Sequence, residues 1–160
     1  RVGKTRISPK ISTTFSSEPV FFYNDKFATT NAAGDLISID TNGNTSTLNL
    51  NLTENHHIDA SSKTLVTLSE NKLTIKDKTV ELDFGNYTQP KLFYINDKIY
   101  VSVTDLQAHK VYMYDSQGEL LSNFPIYGNS MAALDTIDKN GNLGFVVKGE
   151  NNSIILYEIN

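Results

Sequence analysis

Short apolar segments recur along this chain, each a few residues long and each closed by Asn, Asp, Glu or Gly. Four of them look alike: Asp35-Leu-Ile-Ser-Ile-Asp40, Lys72-Leu-Thr-Ile-Lys-Asp77, Lys110-Val-Tyr-Met-Tyr-Asp115 and Ser153-Ile-Ile-Leu-Tyr-Glu158. All are rich in β-branched or aromatic residues and end on an acid, which reads as a strand followed by a turn. Their acidic residues recur at a spacing of roughly 40, the length of a four-stranded structural repeat.

The flanks repeat too. A strand is expected just before each segment, at Phe27 to Thr30, Thr64 to Leu68, Lys98 to Val103 and Leu143 to Val147. Another precedes it, at Pro19 to Tyr23, His56 to Ala60, Lys91 to Ile95 and Met131 to Ile137. The links Tyr23-Asn24-Asp25-Lys26 and Ile95-Asn96-Asp97-Lys98 are near copies, and Asn and Asp tolerate the positive φ of a two-residue hairpin turn. A fourth strand is expected at Thr45 to Leu52, Thr79 to Phe84 and Leu120 to Ile126, with glycine turns at Gly43 and Gly118. The pattern therefore predicts an all-β chain of about four four-stranded antiparallel meanders, the blades of a β-propeller. A β-sandwich is the alternative, because turn spacing alone is compatible with both.

The expected divisions are 1–17, 18–53, 54–86, 87–128 and 129–160. The last unit has only three strand candidates. At the other end Ile7, Pro9, Ile11, Thr13 and Phe15 alternate, so residues 1–17 are expected to be either a leader or the strand that closes the ring. Pro9 would restrict such a strand to an edge.

Composition narrows the partners. The 160 residues include no cysteine, which removes disulfides and thiolate chemistry, and the net charge is -4. Arg1 and Arg6 are the only arginines, so the phosphate clamps of a nucleic-acid surface have almost no candidates. No apolar run approaches the ~20 residues of a membrane-spanning helix. The first residue is Arg1 rather than Met, which suggests a processed or excised form.

The stretch Val111-Tyr-Met-Tyr-Asp115-Ser-Gln-Gly118-Glu-Leu-Leu resembles the strand-turn-strand core of quinoprotein-like propeller repeats, without their docking tryptophan. Asp135-Thr-Ile-Asp138-Lys-Asn140-Gly141-Asn142-Leu-Gly-Phe-Val-Val is similar to the loop of FG-GAP-like repeats. Both resemblances imply a bacterial propeller.

Candidate chemistry is sparse. In the loop at Asp138, Asp138 and Asn140 suit a Ca2+ site, since calcium takes oxygen ligands at alternating positions around a glycine bend. Thr136 and Gly144 stand where the outer carboxylates would be, so a plain hairpin turn is the competing reading. His56, His57 and Asp59 form the densest imidazole–carboxylate group. His57 and Asp59 would share one strand face and so could share a proton or a metal; a solvated inner strand is the alternative. Tyr127, expected in a loop, is a candidate ligand contact. Gly3-Lys4-Thr5 lacks the glycine five residues earlier and the helix that a phosphate loop needs. No catalytic constellation stands out.

The expected function is a non-enzymatic binding or scaffold module of a bacterial secreted or envelope protein, outside the cytoplasm, with a protein or carbohydrate ligand and no cofactor beyond Ca2+. Self-association is expected if the ring is incomplete. The alternative is a propeller hydrolase or carbohydrate-active enzyme with carboxylates lining its channel.

Overall fold

A computed structural model describes residues 3–159; Arg1, Val2 and Asn160 lie outside them. Blade 1 comprises β1 (Phe21–Tyr23), β2 (Lys26–Thr30), β3 (Asp35–Ile39) and β4 (Thr45–Asn49). Blade 2 comprises β5 (His56–Ala60), β6 (Leu65–Ser69), β7 (Lys72–Ile75) and β8 (Lys78–Glu81). Blade 3 holds β9 (Lys91–Ile95), β10 (Lys98–Asp105), β11 (Lys110–Asp115) and β12 (Ile126–Tyr127), and blade 4 holds β13 (Ala133–Thr136), β14 (Leu143–Lys148) and β15 (Ile154–Ile159). Within each sheet the strands lie in sequence order and pair antiparallel. No helix long and apolar enough to cross a membrane is present among the described residues.

Turn chemistry sets these registers. Asn24 and Asp25 adopt φ of 51° and 61°, and Asn96 and Asp97 adopt 52° and 59°. Two successive positive values twist a two-residue turn the way its strands twist, so Tyr23 pairs with Lys26 and Ile95 with Lys98. The longer turns use a different device. Asp40 Oδ1 accepts from the main-chain N–H groups of Asn42 and Asn44, while Gly43 takes φ of 86°. Asp115 holds Gln117 and Glu119 in the same way around Gly118.

Blade 3 departs from expectation at its outer strand. In place of a strand from Leu120 to Ile126, Leu120 makes one bridge to Tyr114, and β12 covers only Ile126 and Tyr127. Pro125 has no N–H to give a ladder. Phe124 turns inward instead, edge-on to Phe145 with ring centroids 5.7 Å apart. The alternating segment from Ile7 to Phe15 carries no ladder; Phe15 alone bridges, to Asn31 of blade 1.

Inner strands follow one another around an axis, β1 beside β5, β5 beside β9 and β9 beside β13. The core lies between successive sheets, and both faces of blade 3 are covered, as in a propeller and unlike a two-sheet sandwich. Val66, Leu68, Leu73 and Ile75 of blade 2 pack against Val101, Val103 and Tyr114 of blade 3. On the far side of blade 3, Val111 and Met113 meet Leu134, Phe145 and Val147 of blade 4. Each such side chain contributes about 1.5–3 kcal/mol when fully buried.

Candidate binding site

The inner strand of blade 2 brings the two histidines to opposite faces, as a period of two dictates. His56 is buried, with Nδ1 2.7 Å from the Thr53 carbonyl and Nε2 2.7 Å from Thr30 Oγ1 of blade 1. The carbonyl makes Nδ1 a donor, and Nε2 pairs with the Thr30 hydroxyl. This histidine joins two blades.

His57 lies on the other face and half exposed. Its Nδ1 is 2.7 Å from Glu18 Oε1, and the Glu18 side chain is only 5% exposed. Gln89 Nε2 donates to Glu18 Oε2 at 3.2 Å and to the Ile58 carbonyl at 2.9 Å. Asp59 does not join this group. Its Oδ2 accepts from Leu92 N–H at 2.7 Å and its Oδ1 from Ala60 N–H at 2.9 Å. Burial raises the Asp59 pKa above 3.8, against the pull of those two amides and of Lys91. Asp59 is thus a strut from blade 2 to blade 3, and His57 finds its carboxylate elsewhere. Glu18 and Gln89 were invisible as site residues: they come from connecting segments 39 and 71 residues apart from their partners, with no motif around them.

Asp138 and Asn140 sit in the β13–β14 turn. Asp138 Oδ1 accepts from the N–H groups of Asn140 and Asn142, and Oδ2 from the Asn142 side chain. This is the turn already seen at Asp40 and Asp115. N–H donors surround the carboxylate, where a calcium ion would need oxygen atoms. Among the described residues no cluster of three or more His, Asp or Glu is placed to hold a metal.

Tyr127 lies in β12, not in a loop, opposite Lys110 on the rim of blade 3. Its hydroxyl accepts from Asn129 at 3.1 Å, its ring lies 6.0 Å from that of His109, and its carbonyl accepts from the Tyr157 hydroxyl. It is far in the fold from the β5 cluster, on an outer rather than an inner strand.

A concavity opens between blades 3 and 4. It encloses about 500 Å³ and is lined by Asn96, Lys98, Tyr100, Phe124, Asn142 and Tyr157 among others. The Asn96-Asp97 turn forms one lip and the Asp138 turn the other. Between them the short β12 leaves the Leu121–Phe124 loop as a floor. A second depression of about 460 Å³ shares Lys98, Tyr100 and Leu121 with it and reaches Asp97 and Asp115. Aromatic walls with amide and ammonium groups at the rim suit a polar ligand with flat apolar faces. Sequence reading did not find this groove, because its residues come from four separated segments.

No family model matches the chain, and no curated protein matches it significantly. Solved structures do. The computationally designed Ika4 protein superposes with a TM-score of 0.60 at 13% identity, covering 99% of this chain and 100% of that one. Catalytically inactive virginiamycin B lyase from Staphylococcus aureus, crystallised with quinupristin, gives a TM-score of 0.53 at 13% identity, covering 88% of this chain and 54% of that chain. This neighbour is a propeller, and the chain follows about half of its length.

Proposed function

We propose that the chain is a non-enzymatic binding module that holds a glycan chain in the groove between blades 3 and 4. The groove carries the reading: at about 500 Å³ it has the size of a small-ligand site, and Tyr100 and Tyr157 bring aromatic surface to amide and ammonium donors there. Rigid blades hold the lips while the turns that form them vary freely. The same reading places the module in a bacterial secreted or envelope protein; antibody detection in cell fractions tests that placement.

Titration of isotope-labelled protein with neutral oligosaccharides tests the ligand class. The expected result is chemical-shift change confined to Asn96, Lys98, Tyr100 and Asn142, reduced at least tenfold in affinity by Tyr100→Ala. Shift changes with peptides alone would replace the ligand class, and no response at these residues to either would sink the groove as the site.

A carbohydrate-active enzyme remains the second reading, favoured by the Glu18–His57 pair beside the inner strand. Both Glu18 oxygens already accept from His57 and Gln89, which weighs towards orientation rather than proton transfer. Turnover of a chromogenic glycoside that Glu18→Gln abolishes would reverse the ranking.

A further inference from the structure

The N-terminal segment repeats the contacts by which one blade's outer strand passes to the next blade. Between blades 2 and 3, β8 runs beside the β11–β12 turn: a Cβ on Gly118 would stand 3.1 Å from the Val80 side chain and 3.5 Å from that of Lys78. The chain then crosses to the end of β10. There Tyr87 bridges Asp105, Thr88 N–H donates to Thr104 O at 2.8 Å, and Leu106 N–H donates to Asn86 O at 2.8 Å.

Blade 1 shows the same set with no blade before it. A Cβ on Gly43, in the β3–β4 turn, would meet the Ile7 carbonyl and stand 3.6 Å from Ser8 Cα. Further along, Phe15 bridges Asn31, Ser16 N–H donates to Thr30 O at 3.1 Å, and Ala32 N–H donates to Thr14 O at 2.8 Å. The offset in numbering is constant, from Ser8 to Val80 and from Phe15 to Tyr87. Residues 6–9 therefore occupy the seat of a fourth strand, running in a fourth strand's direction, for a blade that would precede blade 1.

Blade 4 has the complementary deficit. Among the described residues its sheet stops at β15, whose outer backbone groups have no ladder partner. On its face away from blade 3, Ile154 is 77% exposed and Leu156 59% exposed, with Ile137 folded over Gly144 beside Leu156. Asp135, Gly144 and Glu158 form one row across that face. The segment from Gly3 to Ser17 carries Lys4, Arg6 and Lys10 and no acid, so its charge complements that row. The free face of blade 1 presents Phe22 and Phe27, packed edge to face at 5.3 Å and about half exposed. No hydrogen bond among the described residues links blade 4 to blade 1 of the same chain.

We propose that two copies of this chain close one eight-bladed ring by exchanging strands. Residues 6–9 of each copy add to β15 of the other as its fourth strand, and the Phe22–Phe27 face of blade 1 covers the Ile154–Leu156 face of the other's blade 4. The four blades superpose on about half the length of a larger propeller, as half of a ring would. A two-fold axis generates two equivalent junctions and leaves no open edge, which halts further growth.

Size exclusion with light scattering on the 160-residue chain provides the test, with circular dichroism to confirm folding. The expected mass is twice 17.8 kDa. Deleting residues 1–13 should yield folded monomer, and so should Leu156→Lys, a residue exposed in the single chain. Hydrogen exchange should slow at the outward amides of β15 in the parent and be at least tenfold faster in the deletion. A parent monomer overturns the proposal, whether or not β15 is protected. So does a dimer that survives both variants. A dimer lost with Leu156→Lys but kept in the deletion overturns the strand exchange.

Discussion

Blade 3 meets both its neighbours mainly through hydrocarbon, with the Asp59–Leu92 and Tyr157–Tyr127 hydrogen bonds beside it, whereas the contact of blade 1 with blade 2 is built around a chain of hydroxyls and an imidazole. At the first kind of junction Phe145, Val111, Met113 and Val147 are buried without polar partners. At the second, Thr30 is fully buried, with Oγ1 2.7 Å from Ser16 Oγ and 2.7 Å from His56 Nε2. Hydrocarbon packing is non-directional and sets how strongly blades adhere. A chain of hydrogen bonds is directional, and a single missing member leaves buried donors or acceptors unpaired. One junction supplies adhesion; the other fixes the angle at which the N-terminal segment leaves blade 1, because Ser16 belongs to both.

The sharpest way to separate them is to remove one member of each. Phe145→Ala should cost about 3–5 kcal/mol in urea denaturation, as a buried aromatic with a cavity left behind. A loss below about 1 kcal/mol would mean that blade 4 is not held by its core. Thr30→Val keeps the volume and deletes the hydroxyl; it should cost about 1–3 kcal/mol through the stranded His56 Nε2, while Ser16 Oγ keeps the Thr30 carbonyl. An unchanged midpoint would show that the polar chain adds no specificity.

Asp59 gives a smaller, pH-dependent contrast. Burial raises its folded pKa above the ordinary 3.8, so the folded state binds the proton more tightly than the unfolded one. Its contribution is fully present below pH 3.8 and is lost as pH rises through the raised value. Asp59→Asn should remove this part of the acid-side slope in denaturation midpoints measured from pH 3 to 7; a parallel slope in the variant would dismiss the assignment. Smallest of all is the contact of half-exposed His57 with the buried Glu18 carboxylate, which keeps Gln89 as a second partner. His57→Ala should cost no more than about 1 kcal/mol, and less in high salt; a larger, salt-insensitive loss would give the pair a structural weight its exposure does not suggest.

Much of the blade framework could be read from local chemistry. β5, β9 and β11 run over the residues their patterns predict, because alternation and turn residues act within a few positions. The outer strand of blade 3 was misread where an apolar residue, Phe124, served the junction to blade 4 instead of its own sheet. The site was less legible. The pairing expected of His57 and Asp59 relied on a shared strand face, yet each took a nearer partner from another segment, Glu18 and Leu92. Asp138 was singled out by its spacing, which an Asp that holds amides in a turn shares with one that holds a cation; the structure shows it holding the Asn140 and Asn142 amides. The contacts of residues 7–16 needed coordinates, since alternation cannot say which strand a segment lies beside.

The sequential order of strands within each sheet has a consequence for synthesis. Blades 1 to 3 are each completed by contiguous chain, through hairpin contacts that close in microseconds and need nothing still inside the ribosome. They can therefore fold one after another during translation. Blade 4 lays down its three described strands in the same order, and under the strand exchange proposed above its fourth comes from an encounter rather than from elongation. In that case low local concentration would prolong the interval in which β15 stands open to pairing with the wrong strand.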